Sequence, residues 1–371
     1  MTTSLDDPVD RRSLSEQVPV RIAVAGLGRA GMHHIERLSL RDDCQVVAGY
    51  DDCPAAARRC AGLVPWLADS WQEVLRSPMV DAVLIASPPT THAPLALEAL
   101  AAGKHLLIET PLGMHRAEGE AILAAARRAN RGAIVLHSRR WEDDFRRARS
   151  CLRAGQLGRP QVIKHISWQY HPADCGAAFN GVDPATSSRS RNNAPHDWRM
   201  HRVTGGGALW EFGVHRFDQL LLLADEMPGS LAVERLGPAL PDQAEEGFLA
   251  LARFPSGLHA HIEVHRGSPA PLQTGWIIAG DQGSYANGVH YSTTNEQEIV
   301  DVPLETPPAD MDELYAQAIR HLRAGTPNPV SLEQGLQTIA LIEAAHESLR
   351  RGERVMVVPP DALELSRTVF I

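Results

Sequence analysis

The chain has 371 residues and a formal net charge of −9, ample for two domains and a sizeable core. That negative balance argues against a nucleic-acid or anionic-membrane partner, and no apolar run approaches the length of a membrane span. Five cysteines without a C-x-x-C fit reduced thiols in a cytoplasmic protein and offer no zinc-knuckle spacing, so no metal site is expected.

Residues 1–17 read as a loose polar tail: Arg11-Arg12 is not followed by the apolar region that an export signal needs. Val20, Ile22 and Val24 then alternate as in a strand and run into Gly26-Leu27-Gly28-Arg29-Ala30-Gly31, a G-x-G-x-x-G turn. Gly26 permits a tight strand-to-helix turn, Gly28 lets backbone approach a pyrophosphate, and Gly31 lets helix and strand pack closely. Phosphates are favoured there by the helix dipole and by the amide groups of its first turn. A second apolar run, Gln45 to Tyr50, ends at Asp51, twenty residues after Gly31 (51 − 31). A carboxylate at that point is placed to accept from the adenosine ribose hydroxyls. Asp52 adds a second negative charge where a 2′-phosphate would want a base. The motif therefore predicts a dinucleotide site selective for NAD(H), whereas the same glycines in isolation also serve plain turns.

Up to about Leu136, short apolar runs (Val80 to Ala86, Leu106 to Ile108, Ala133 to Leu136) alternate with Ala-rich helical stretches. This alternation predicts a doubly wound parallel sheet, a Rossmann domain over 18–137. Ser87-Pro88-Pro89-Thr90-Thr91-His92 follows a strand and opens a helix, where the middle of the cofactor would pass, so Ser87, Pro88 and His92 are candidate contacts. A loop with a proline turn and a helix cap explains the same residues.

After His137 the texture changes. An Arg-rich helix from Asp144 to Ala154 precedes runs at 161–170, 248–254, 258–264 and 275–279, which read as an antiparallel sheet. The region 138–371 is thus expected to form an α+β domain with a large, mainly antiparallel sheet. It also holds a Gly/Ser/Asn-rich loop (176–193), a helix entered through Gly205-Gly206-Gly207, and a last helix from Leu332 to Arg351. Helical spacing puts Glu211 and His215 on one face, with Asp218 three further on. A carboxylate that orients an imidazole and raises its basicity suits a general base near neutral pH. His259, His261, Glu263 and His265 alternate along one predicted strand and share a face. Such a set can chelate zinc or manganese, but a polar sheet face meeting solvent or another subunit is the expected reading.

These motifs, in this order, resemble the glucose–fructose oxidoreductase, inositol dehydrogenase and MocA family. The resemblance rests on Ala25 to Gly31, on Gly103 to Pro111 ending Ile108-Glu109-Thr110-Pro111, and on Gly205 to Asp218, with Pro160 and Trp198-Arg199 in the usual layout. It implies a Rossmann domain that binds NAD, a C-terminal sheet used for homodimer or homotetramer formation, and a site between the domains. It implies that Glu109 and Thr110 stand beside the cofactor and that Thr110 occupies the place of the family's catalytic lysine. A threonine hydroxyl can hydrogen-bond or relay a proton but holds no charge near neutral pH. Glu211 replaces the family's usual Asp, while His215 and Asp218 are kept.

The expected function is NAD(H)-dependent oxidation or reduction at a secondary alcohol of a sugar, cyclitol or related polyol. His215, Glu211 and Thr110 are the catalytic candidates; Arg139, Trp168, Trp198, Arg199, Glu211 and His215 are the candidate substrate contacts. Two alternatives stay open at this stage. One is a redox-neutral reaction with recycled NAD; the other is a non-catalytic dinucleotide-binding protein.

Overall fold

The computed structural model describes residues 18–170, 199, 201–237, 244–292, 299–301 and 311–360. The expected N-terminal tail and Trp198 lie outside the described residues.

The first layer follows the alternation in the sequence: β1 (Val20–Ala25), α1 (Arg29–Leu38), β2 (Cys44–Tyr50), α2 (Pro54–Arg59), α3 (Trp71–Arg76), β3 (Ala82–Ile85), α4 (His92–Ala101), β4 (His105–Ile108), α5 (Arg116–Ala129) and β5 (Ala133–Val135). Its five strands pair in parallel in the order β2-β1-β3-β4-β5. All four residues of β3 are buried, the continuous apolar pattern of a strand covered on both faces. The chain reverses its direction of strand addition between β1 and β3, and the crevice outside their C-terminal ends is where such sheets bind ligands.

The second layer begins with α6 (Asp143–Arg153) and β6 (Pro160–Tyr170), and continues through α7 (Val214–Ala224), β7 (Ser230–Leu236), β8 (Gly247–Arg253) and β9 (His259–His265). It ends with β10 (Gly267–Gly280), β11 (Gly283–Ala286), β12 (Val289–Ser292) and β13 (Ile299–Asp301). After these come α8 (Met311–Ala324), α9 (Leu332–Arg351) and β14 (Val355–Met356). The sheet runs β13-β12-β11-β10-β6-β9-β8-β7-β14. Its described pairings are antiparallel except β6 with β9, which is parallel. On β9, Ala260, Ile262 and Val264 are buried on the inner face of the sheet, while His259, His261, Glu263 and His265 point to the opposite face.

Two hydrophobic clusters result. One joins the parallel sheet to Leu314, Tyr315, Ile319, Leu336 and Ile339; the other joins the inner face of the large sheet to α6, α7 and Leu341, Ile342 and Ala345. The 20 residues of α9, about 30 Å of helix, therefore bury their first half in one core and their second half in the other. A capping box of Ser331 and Gln334 starts this helix, and Gly352 in the left-handed region ends it. Among the described residues, no helix is long and apolar enough to cross a membrane.

Candidate active site between the two sheets

A cavity of about 720 Å³ opens between the layers, lined by the glycine turn and Asp51 from the first and by Glu211 and His215 from the second. Gly26 sits at φ +91, and a Cβ there would come within 2.5 Å of Ser87 N. A Cβ on Gly31 would lie 1.8 Å from Gly26 O, whereas one on Gly28 would meet no protein atom within 4 Å. The space beside Gly28 is the cavity itself. Gly28, Arg29 and Ala30 line it at the start of α1. Leu27 is fully buried, and neither it nor Gly31 lines the cavity: both shape the turn.

Asp51 and Asp52 line the same end. The Asp51 carboxylate accepts from Leu27 N at 2.7 Å and from Cys53 N at 2.8 Å. It thus ties the glycine turn to the end of β2, with lone pairs left for a ribose diol. Ser87 and Pro88 line the middle, and the Ser87 hydroxyl is 2.6 Å from that of Thr91. His92 was expected here and is not. It is buried, with ring nitrogens 2.7 Å from Pro111 O and 2.9 Å from Ser87 O. It braces two cavity loops from behind, and burial lowers its pKa.

Glu109 and Thr110 line the wall at the end of β4. Glu109 Oε1 is 2.8 Å from His34 Nε2, and Oε2 accepts from Thr110 N at 2.9 Å. Burial acts to raise the Glu109 pKa, but His34 and the Thr110 amide outweigh it and hold the carboxyl below its ordinary value. His34 Nδ1 in turn meets the Tyr315 hydroxyl at 2.5 Å.

On the opposite wall the chain enters α7 through Gly205 and Gly207, both at positive φ, and through a π-helical turn, Leu209–Gly213. Glu211 faces Arg199 at 3.7 Å and Arg266 at 3.4 Å instead, which corrects the expected Glu211–His215 pair. The His215 ring lies edge-on to His137, centroids 6.1 Å apart. Its Nδ1 is enclosed without a hydrogen-bond partner. Burial first, then Arg139, His137 and Arg216, push its pKa well below 6.5, so the ring is neutral at neutral pH.

Asp218 does not face the cavity. It takes a bidentate pair from Arg140, at 2.8 Å (Nε) and 2.5 Å (Nη2), a strut between the turn after β5 and α7. Arg139 lines the cavity, with its Nη1 on Glu142 Oε1 at 2.6 Å. Trp168 was expected to contact substrate, but it does not line the cavity: its indole donates to Glu263 Oε1 at 2.7 Å on the outer sheet face. On that face His261 Nε2 lies 3.4 Å from Glu263 Oε2, and no trio of His, Cys, Asp or Glu among the described residues is arranged to hold a metal ion.

Several participants carried no signal in the sequence. Glu142 joins Arg139 to the buried Arg216, which donates to Glu142 Oε2 at 2.8 Å. The buried Glu245 accepts from Leu209 N at 2.9 Å and would be 2.4 Å from a Cβ on Gly207; burial pushes its pKa up. His34 and Arg266 belong to this set as well. Apart from Glu142 and its neighbour Arg139, they lie far along the chain from the groups they serve.

Residues 20–137 match the family model for an oxidoreductase family with an NAD-binding Rossmann fold. Residues 145–286 match the model for a GFO/IDH/MocA C-terminal domain. The chain is 26% identical over 355 residues to the myo-inositol 2-dehydrogenase of Thermotoga maritima, across 91% of this chain and 98% of that one. It is 23% identical over 334 residues to the rhizopine catabolism protein MocA of Rhizobium meliloti, across 89% and 95%. Among solved structures, an NAD-binding protein from Listeria innocua aligns with a TM-score of 0.76 at 25% identity, covering 91% of this chain and 97% of that one. The WlbA dehydrogenase from Bordetella pertussis, in complex with NADH and UDP-GlcNAcA, shares the fold with a TM-score of 0.76 at 21% identity, covering 92% and 99%.

Proposed function

The chain belongs to the GFO/IDH/MocA family of NAD-binding oxidoreductases, and we propose that it oxidises a secondary alcohol of a sugar, cyclitol or related polyol. One observation carries this reading: the glycine turn of one sheet and His215 of the other line a single cavity. The residues present fit a dinucleotide. The open space beside Gly28, the first turn of α1 and the carboxylates of Asp51 and Asp52 would hold the pyrophosphate and adenosine ribose. Glu109 and Thr110 would stand at the other end.

Bound NAD supplies the acceptor for the hydride that leaves the carbinol carbon. His215 receives the hydroxyl proton. With Nδ1 enclosed, its Nε2 is the nitrogen left for the substrate, and the neutral ring has a lone pair to take that proton. Thr110, with no charge to offer, donates or accepts one hydrogen bond and orients the hydroxyl. Asp218 and Arg140 act at one remove, fixing α7 against the turn after β5 so that His215 and Arg139 keep their relative positions.

The test is nicotinamide absorbance during turnover over a panel of sugars and cyclitols, with the native protein and His215→Asn. Net NADH formation that falls about 10²–10⁴-fold in the variant supports the reading. Product without net NADH points to a recycled cofactor, and no turnover at all removes the dehydrogenase.

A further inference from the structure

Arg139 and Arg216 share one carboxylate. Glu142 gives Oε1 to Arg139 at 2.6 Å and Oε2 to Arg216 at 2.8 Å, so both guanidinium groups of this corner hydrogen-bond to the same carboxylate. The next acid along, Asp144, acts on Arg216 through space but gives its hydrogen bonds elsewhere: it accepts from Trp276 N at 2.7 Å and from the Tyr285 hydroxyl at 2.8 Å, and burial pushes its pKa up. Gln219 fills the remaining space beside Arg216 with a neutral acceptor at 2.7 Å. The neighbouring Arg140 contributes no excess, because Asp218 matches it in a bidentate pair.

Guanidinium groups cannot shed their proton, so both stay charged around that one hydrogen-bonding carboxylate. Two imidazoles register it. His215 on the cavity side and the buried His165 behind both have pKa values pushed well below 6.5, by burial first and then by arginines that include Arg139 and Arg216. Of the two arginines that share Glu142, Arg139 is the one that lines the cavity, and its planar fork suits a two-oxygen anion. Glu211 gives a parallel arrangement across the cavity, set between Arg199 and Arg266.

We propose that the substrate is an anionic polyol, whose oxyanion (a carboxylate or a phosphate ester) is bound by Arg139 beside His215. The proposal rests on the reading of this cavity as the polyol site and narrows its substrate class. An anion there gives Arg139 a partner that it does not share with Arg216. It also sets the oxyanion and the reacting hydroxyl on one small molecule, between two fixed points.

The experiment uses the NAD-loaded protein and four probes: D-glucuronate, D-glucose 6-phosphate, D-glucose and myo-inositol. Binding is measured by calorimetry and turnover by nicotinamide absorbance, for the native protein, Arg139→Gln and the charge-retaining Arg139→Lys. Expected is binding of at least one anionic probe about 10²-fold tighter than its neutral counterparts. A 10- to 10²-fold loss should follow in Arg139→Gln, the worth of a charged hydrogen bond, with partial recovery in Arg139→Lys. The glucuronate and glucose 6-phosphate arms separate carboxylate from phosphate. Neutral probes that bind as well as anionic ones, no binding of any anionic probe, or equal losses for both classes in Arg139→Gln would overturn the proposal. Anion binding through Arg139 without NADH formation would sink the dehydrogenase reading and leave this one standing.

Discussion

His34 Nε2 lies 2.8 Å from Glu109 Oε1, joining α1 to the end of β4 at the cavity wall. The contact continues through His34 Nδ1 to the hydroxyl of Tyr315 on α8. A carboxylate that lines the proposed cofactor site is thereby anchored to two helices. Removing the imidazole leaves a largely buried carboxylate short of a partner, a loss of about 1–3 kcal/mol. His34→Phe and Glu109→Gln should each destabilise by that order, and the double variant by clearly less than the sum. Urea unfolding of the four proteins measures the coupling; additivity within about 0.5 kcal/mol would show that the contact carries no energy.

The two outer glycines of the motif's second half separate stability from binding. Gly31→Ala drives a methyl to 1.8 Å from Gly26 O, so the fold should lose about 3 kcal/mol, the upper end of the usual cost of overpacking. Gly28 has φ −73 and ψ −166, which alanine adopts without strain, and its Cβ would enter only the cavity. Gly28→Ala should therefore leave the melting temperature nearly unchanged and weaken NAD binding about tenfold or more. Unchanged NAD affinity in Gly28→Ala would mean that the dinucleotide does not pass there.

NAD should bind at least about tenfold more tightly than NADP. Asp51 and Asp52 line the end of the cavity beside the glycine turn, and a 2′-phosphate next to them meets like charge. Titration with both cofactors decides the matter. Equal or tighter NADP binding would show that Arg29 or Arg59, which line the same end, reaches the phosphate.

The open face of the large sheet should pair two or more copies of the chain. Leu251 is 41% exposed there, and Trp168, His261 and Glu263 lie on the neighbouring strands β6 and β9 of the same face. Light scattering at micromolar concentration should report a dimer or tetramer, and Leu251→Arg should shift it toward monomer. A native protein at monomer mass contradicts this.

The parallel layer was legible because glycine is the residue such a turn demands, and its spacing to Asp51 is short and local. What escaped was set by contacts distant in sequence or by a departure from ideal helix. Glu211 and His215 align on an α-helical wheel, but the turn that carries Glu211 is π-helical, and Glu211 is set between Arg199 and Arg266 instead. His92 has the position of a cavity residue, yet burial turned its ring to two backbone carbonyls. The residue type of Trp168 says nothing about the sheet face it takes. The pairing of Arg216 with Glu142 joins residues 74 positions apart, and no local pattern announces it.

The last expectation concerns the proton. His215 has no carboxylate partner among the described residues, and burial, Arg139, His137 and Arg216 lower its pKa well below 6.5. A group that must be neutral to accept a proton, and whose pKa is depressed, is already competent at pH 6.5 and fails only at lower pH. The profile of kcat/KM should therefore be flat through neutrality on its acid side, with the descending limb well below pH 6.5. Arg139→Gln removes one positive neighbour, so the imidazolium becomes less unfavourable and the limb should move upward, toward 6.5. His215→Asn should abolish the limb along with most of the turnover. A native limb at or above 6.5, or one that His215→Asn leaves in place, would assign the proton to another group. A low-pH limb that His215→Asn leaves in place would point first to Glu109, which lines the same cavity and whose carboxyl His34 and the Thr110 amide hold below its ordinary value.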